Sequence, residues 1–212
     1  MNKIKDQILT MLIEHSRIIY SAISDMGVFY SAWAENYEEN KSNLTKKKNK
    51  MELTEEDGDV IKIRLIKEYS EAGAQGLQSY LTLVLKMDNV INSTLEFVDI
   101  LENIGDSTKL LDDIKKRYEK LINEIILMAD TLKTTIKNLR DKPEEVFGNT
   151  TMIHEIENNI DLIFRDFLNT IYDNQDVDIR LVLKVRDSIK ILEELADRIH
   201  DIADLIRILI YQ

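Results

Sequence analysis

VLKVRDSIKILEELADRIHDIADLIRILI, residues 182–210, sets apolar side chains at Val182, Val185, Ile189, Leu192, Ala196, Ile199, Ala203, Ile206 and Ile210. Steps of three and four throughout keep these positions on one side of an α-helix, and such a stripe has to be covered by other helices. A helix of about 30 residues is about 45 Å long, so the stretch predicts an elongated antiparallel bundle.

The rest of the chain reads the same way. One proline and six glycines in 212 residues are too few turn-formers for a strand-rich fold, so the fold class is all-α, with six long helices. Gly27 is expected to kink or end a first helix of about 3–26, and a second follows at about 30–70. Gly73 and Gly76 then separate it from a third, about 75–104, and Gly105-Asp106-Ser107 separates that from a fourth, about 107–140. Asp106 or Ser107 is expected to cap the fourth helix, with Lys137 and Arg140 at the negative end of its dipole. Pro143 opens a fifth, with Glu144 and Glu145 in its first turn, and Asp173-Asn174-Gln175-Asp176 divides it from a sixth that runs almost to Gln212. Gly148 is the one such breaker placed inside a helix.

Composition narrows the function. With 28 Lys+Arg against 39 Asp+Glu, the net charge is −11, which repels phosphates and argues against nucleic-acid binding. No cysteine means no disulfide, thiolate zinc site, iron–sulfur cluster or thiol nucleophile. Imidazoles are scarce as well: His15, His154 and His200. The run Lys46-Lys47-Lys48-Asn49-Lys50 is the only basic cluster and reads first as a solvated helix face or loop, with a phosphate-binding patch as the alternative. No uncharged apolar run reaches the roughly 18 residues that span a bilayer. Asp6 and Glu14 interrupt any signal-peptide core, so a soluble, cytoplasmic protein is expected.

Four helices carry an acidic residue followed four positions later by another, or by an amide: Glu55/Asp59, Asp88/Asn92, Glu157/Asp161 and Glu193/Asp197. That spacing puts both side chains on one face, where two oxygens can share a cation. On helical wheels Asp59 falls between Ile63 and Ile66, and Asp88 between Leu81 and Leu95. Glu157 falls between Phe164 and Leu168, while Glu193 and Asp197 flank the seam beside His200 and Asp204. A carboxylate on a buried face costs several kcal/mol unless it is neutralised, paired or bound to metal. Lys62, Lys86 and Arg165 are the available internal partners. The order also repeats: Glu157 follows Glu55 by 102 residues and Glu193 follows Asp88 by 105. This predicts one domain over 1–212 made of two pseudo-repeated three-helix bundles, about 1–105 and 106–212.

Glu55-Glu56-Asp57-Gly58-Asp59 and Leu192-Glu193-Glu194-Leu195-Ala196-Asp197-Arg198 resemble the E-x-x-x-D motifs of PhoU-like proteins. Ile156-Glu157-Asn158-Asn159-Ile160-Asp161 is similar to the fifth-helix motif of the branch associated with Pit-type phosphate permeases. Met87-Asp88-Asn89-Val90-Ile91-Asn92 looks like that branch's third-helix motif and departs from it at Asn92, where an acidic residue is usual. The resemblance implies two three-helix bundles side by side, no catalytic activity, and a regulatory role in phosphate uptake. It also implies metal ions, iron, zinc or nickel, on the E-x-x-x-D carboxylates. The implied ligands here are Glu55, Asp59, Asp88, Asn92, Glu157, Asp161, Glu193 and Asp197, with the first-repeat site weakened by the neutral Asn92. Arg198 fits the family pattern and is expected to pair with a neighbouring carboxylate.

Oxygen ligands with almost no nitrogen favour magnesium, calcium, manganese or iron, whereas zinc or nickel more often recruit a histidine such as His200. An acidic bundle suits docking on the basic cytoplasmic face of a membrane permease, and homo-oligomers are compatible with it. Two other readings compete. A ferritin-like di-metal oxidase usually needs two Glu-x-x-His motifs, and the nearest match, Asp197-Arg198-Ile199-His200, occurs once. The other is a purely structural helical adaptor whose carboxylates are only salt-bridged flanks.

Overall fold

The computed structural model describes residues 2–72, 78–173 and 177–211. Six long helices follow one another: α1 (Asn2–Glu35), α2 (Tyr37–Ala72), α3 (Gln78–Ile104), α4 (Asp112–Asp141), α5 (Val146–Asp173) and α6 (Ile179–Ile210). Two 3-10 turns, Ser107–Lys109 and Pro143–Glu145, precede α4 and α5. Helices α1–α3 pack as one three-helix bundle and α4–α6 as another. The bundles lie side by side, α1 against α4 and α3 against α6, which leaves α2 and α5 on the outside.

The two bundles share one apolar core. Tyr118 of α4 lies at its centre, with its ring 4.9 Å from Phe167 of α5 in an edge-on arrangement and 5.5 Å from Tyr30 of α1. Such pairs add about 0.5–1.5 kcal/mol beyond the area they bury. The polar ends are satisfied: the Tyr118 hydroxyl bonds Ser188 of α6, and the Tyr30 hydroxyl donates to the Lys115 carbonyl at 2.6 Å. Rings from both bundles therefore interlock, and neither bundle keeps its apolar face covered without the other.

The helix ends differ from the sequence reading at instructive places. Gly27 does not end α1, which continues to Glu35. A β-carbon at Gly27 would lie 2.9 Å from the Ile126 side chain and 3.3 Å from Ile122, so this glycine lets α1 and α4 approach. The break comes at Asn36, whose side-chain oxygen accepts from the Glu39 amide at 3.2 Å, while Asn40 covers the Ala32 carbonyl at 3.0 Å. Asn36-x-x-Glu39 is the spacing of a capping box, a signal present in the sequence. Gly58 also sits inside a helix, so Gly148 is not the only internal glycine. Gly105 ends α3 with φ +72°, a left-handed conformation that favours glycine, and its carbonyl accepts from the buried Trp33 indole at 2.8 Å. Asp106 caps the turn at Ser107–Lys109 rather than α4, whose first turn carries Asp112 and Asp113 instead. Pro143 opens the short turn that leads into α5. The expected break at Gly73–Gly76 falls outside the described residues, as do Asn174, Gln175 and Asp176; α6 begins after Asp178, which caps it by accepting from the Arg180 amide at 2.7 Å.

Candidate functional site

Helix α2 enters its bundle along a narrow line, Leu44, Met51, Gly58 and Leu65, each seven residues after the last. Ile63 and Ile66, which bracket Asp59 on the wheel, face solvent. Asp59 is therefore at the edge of the packed line and not within it. The general point holds for every motif: among the described residues no Asp or Glu is fully buried. The carboxylates line the seams where α2 meets α3 and where α5 meets α6, half in and half out of water.

In the first seam Lys62 settles the electrostatics. Its ammonium lies 2.7 Å from the Asp88 carboxylate and also bonds Asp59, one turn earlier on its own helix. Burial alone would push this ammonium down, but its bonds to Asp59 and Asp88 outweigh that and hold it above the usual lysine value. The neighbouring Glu55 is pushed up by burial first and by the Asp59 and Asp88 charges second. Asn92 follows one turn after Asp88, half-buried and uncharged. Beneath this seam His15 of α1 is fully enclosed, and neither ring nitrogen finds a hydrogen-bond partner among the described residues. Burial, then the Lys62 charge, lowers its pKa from 6.5 to about 4, with Asp59 acting weakly the other way. The imidazole is neutral at physiological pH.

Among the described residues the second seam has no bridging lysine. Glu157 and Asp161 of α5 and Asp197 of α6 each turn a carboxylate oxygen into a region where all three lie within 4.8 Å of one another. Arg165 holds the outer side of Asp161 at 2.6 Å from a largely exposed position. Glu193, one turn before Asp197, stands beside the group. Burial, then the charges of Asp197 and Asp161, pushes its carboxyl up to about 7. Asp197 is also raised, by burial and then by Asp161, with His200 opposing. Crowded carboxylates with raised pKa values are an arrangement that a cation relieves.

Two expected partners go elsewhere. Lys86 bridges to Asp201 of α6 at 2.6 Å, away from both seams. Among the described residues Arg198 pairs with no carboxylate of its own motif; it crosses to α3 and donates to the Asn89 carbonyl at 2.8 Å and the Ser93 hydroxyl. The wheel missed His154. It stands three residues before Glu157, hence on the same face of α5, and its Nδ1 lies 3.1 Å from Nε2 of His200 on α6. With Glu157 the two rings form a second group of potential ligands within 4.8 Å of one another.

No family model matches the chain, and no curated protein matches it. Solved structures do. A PhoU-like phosphate regulatory protein from Shewanella oneidensis MR-1 is similar with a TM-score of 0.78 at 15% identity, over 96% of this chain and 99% of that one. A PhoU-like protein from the same organism is similar with a TM-score of 0.81, also at 15% identity and with the same coverage. At that identity the likeness is one of architecture, and the chain has the PhoU-like fold.

Proposed function

We propose that this protein is a non-enzymatic PhoU-like regulator of inorganic phosphate transport. In this reading it binds metal through Glu157, Asp161, Glu193 and Asp197 and docks on the cytoplasmic face of a permease, of the Pit type by its motifs. The observation that carries the metal part is the convergence of Glu157, Asp161 and Asp197 with no Lys or Arg among the described residues bridging the two helices there, beside a Glu193 whose pKa is raised to about 7. Manganese, iron or magnesium fits three carboxylates. The first seam, Glu55, Asp59, Asp88 and Asn92, carries its own cation in Lys62 and one charge fewer, so it is assigned a metal role only when Lys62 swings out. In the same reading the chain is one domain with internal repeats at about 1–105 and 106–212, in which α2/α3 and α5/α6 are equivalent seams.

Placement at the permease is supported by net charge −11 and by the fold; no helix among the described residues is long and apolar enough to cross a membrane. The carboxylate seams occupy the flanks of the molecule, whereas the core between the bundles is apolar and aromatic, which disfavours a ferritin-like oxidase. The test is elemental analysis and Mn²⁺ titration of protein purified without chelator or histidine tag. Mn²⁺ binding in the parent that is lost in Asp161→Asn combined with Asp197→Asn supports the reading. Equal binding by both proteins refutes it. Co-purification with a phosphate permease in detergent, sensitive to salt, tests the docking part.

A further inference from the structure

The His154–His200 contact lies on the shared flank of α5 and α6, beside the carboxylates and on the side of the seam towards Asp204. We propose that His154, His200 and Glu157 form a nitrogen-rich site for a borderline divalent ion of the zinc or nickel class, distinct in ligand chemistry from the oxygen-only group. The two share Glu157, but the histidine site does not require that Asp161 and Asp197 hold an ion.

Geometry carries the argument. With metal–nitrogen bonds of about 2.0–2.1 Å, two imidazole ligands at a tetrahedral centre have nitrogens about 3.3 Å apart. The observed separation of Nδ1 and Nε2 is 3.1 Å, so the rings are already placed for a shared ion. Without a cation the two nitrogens share a single N–H···N hydrogen bond, and protonating both would set two positive rings, tilted by 36°, at a centroid distance of 5.0 Å. Glu157 brings Oε2 to 4.0 Å from His154 Nδ1, a gap that a small side-chain rotation closes. Its side chain is 15% exposed while that of His154 is 49% exposed, so the site has a sheltered inner ligand and an open outer side by which an ion enters.

A fourth ligand is within reach. Asp204 Oδ1 is 3.9 Å from His200 Nε2, one helical turn further along α6. Arg207 lies 3.8 Å from that carboxylate and also bonds the Thr150 and Thr151 hydroxyls, which steadies this end of the seam. Imidazole nitrogen with carboxylate oxygen selects zinc, nickel or cobalt over magnesium and calcium, whereas Glu157, Asp161 and Asp197 alone favour the harder ions.

The experiment is parallel titration of untagged, chelator-stripped full-length protein with Co²⁺, read by visible absorption, and with Zn²⁺ and Mn²⁺, read by calorimetry. His154→Gln and His200→Gln replace side chains at least partly open to solvent, and unchanged metal-free melting confirms that they fold. The expected result is intense tetrahedral-type cobalt absorption in the parent that both variants lose. Their Zn²⁺ affinity falls by at least about tenfold, the scale on which loss of even an outer-shell partner is felt, while Mn²⁺ binding persists. Asp161→Asn should show the converse pattern, so failure of the histidine site and failure of the carboxylate reading are distinguishable. Parent-like Zn²⁺ binding in both histidine variants, or a weak octahedral cobalt spectrum that the variants share, overturns the proposal.

Discussion

Replacing Lys62 by methionine keeps an unbranched side chain, one atom shorter, and removes the ammonium that joins α2 to α3. The carboxylates left behind differ in exposure: the Asp88 side chain is 13% exposed and that of Asp59 44%, around an ammonium side chain at 21%. Removing one partner of a fully buried pair costs about 3–5 kcal/mol, and an exposed pair contributes about 0.2–1 kcal/mol. This cluster lies between those limits, nearer the surface than the core, so the expected loss is about 2 kcal/mol. In a domain of this size 1 kcal/mol moves the melting temperature by about 2–4 °C, so Lys62→Met should melt about 4–8 °C below the parent in chelator at neutral pH. The same substitution opens the first seam to an external cation. A divalent ion at a hundred times its dissociation constant contributes about 2.7 kcal/mol, enough to offset the loss. Differential scanning calorimetry with chelator and with Mn²⁺ measures both effects, and Mn²⁺ should raise the variant more than the parent. If Lys62→Met melts with the parent in chelator, Lys62 is a solvated side chain, and the account of the first seam fails.

Two further outcomes follow from the titrating groups. The Glu193 carboxyl is raised from 4.5 to about 7, so the native state holds its proton more tightly than the unfolded chain; that stabilisation is present below pH 4.5 and is lost as pH rises towards about 7. Metal-free Glu193→Gln should thus melt above the parent at about pH 8 and converge with it in mild acid, and coincident melting curves across that range would disprove the assignment. His15 behaves oppositely, because its pKa is lowered from 6.5 to about 4: its contribution is complete above pH 6.5 and is lost as pH falls through that window. At about 1.4 kcal/mol per pH unit the parent should lose about 3 kcal/mol to this group, and His15→Leu, which also removes two unsatisfied nitrogens, should keep most of it; urea unfolding at about pH 7 and pH 4 provides the check.

How much of this was legible in the chain depends on the range of the interaction involved. The stripe from Val182 to Ile210, the scarcity of glycine and proline, and the Gly105 and Pro143 breaks are local properties, because helical periodicity and chain termination act within a few residues. They determined six helices and their order, and the i, i+4 spacing marked which helices carry paired carboxylates. The same local reasoning placed Asp59 inside an apolar arc and a break at Gly27. Both fail for one reason: a wheel gives the direction of a side chain about its own axis but not which direction another helix occupies. Tertiary packing turned α2 so that Leu44, Met51, Gly58 and Leu65 face inward and Ile63 faces water, and it turned Gly27 from a breaker into a contact point with Ile126. Packing alone also decided that Lys62 bridges Asp59 to Asp88 across two helices and that Arg198 leaves its motif for Ser93. His154 and His200 are 46 residues apart, yet their ring nitrogens meet at 3.1 Å. Ligand sets are made between helices, and the distance between two helix faces is set by the whole core on which they rest.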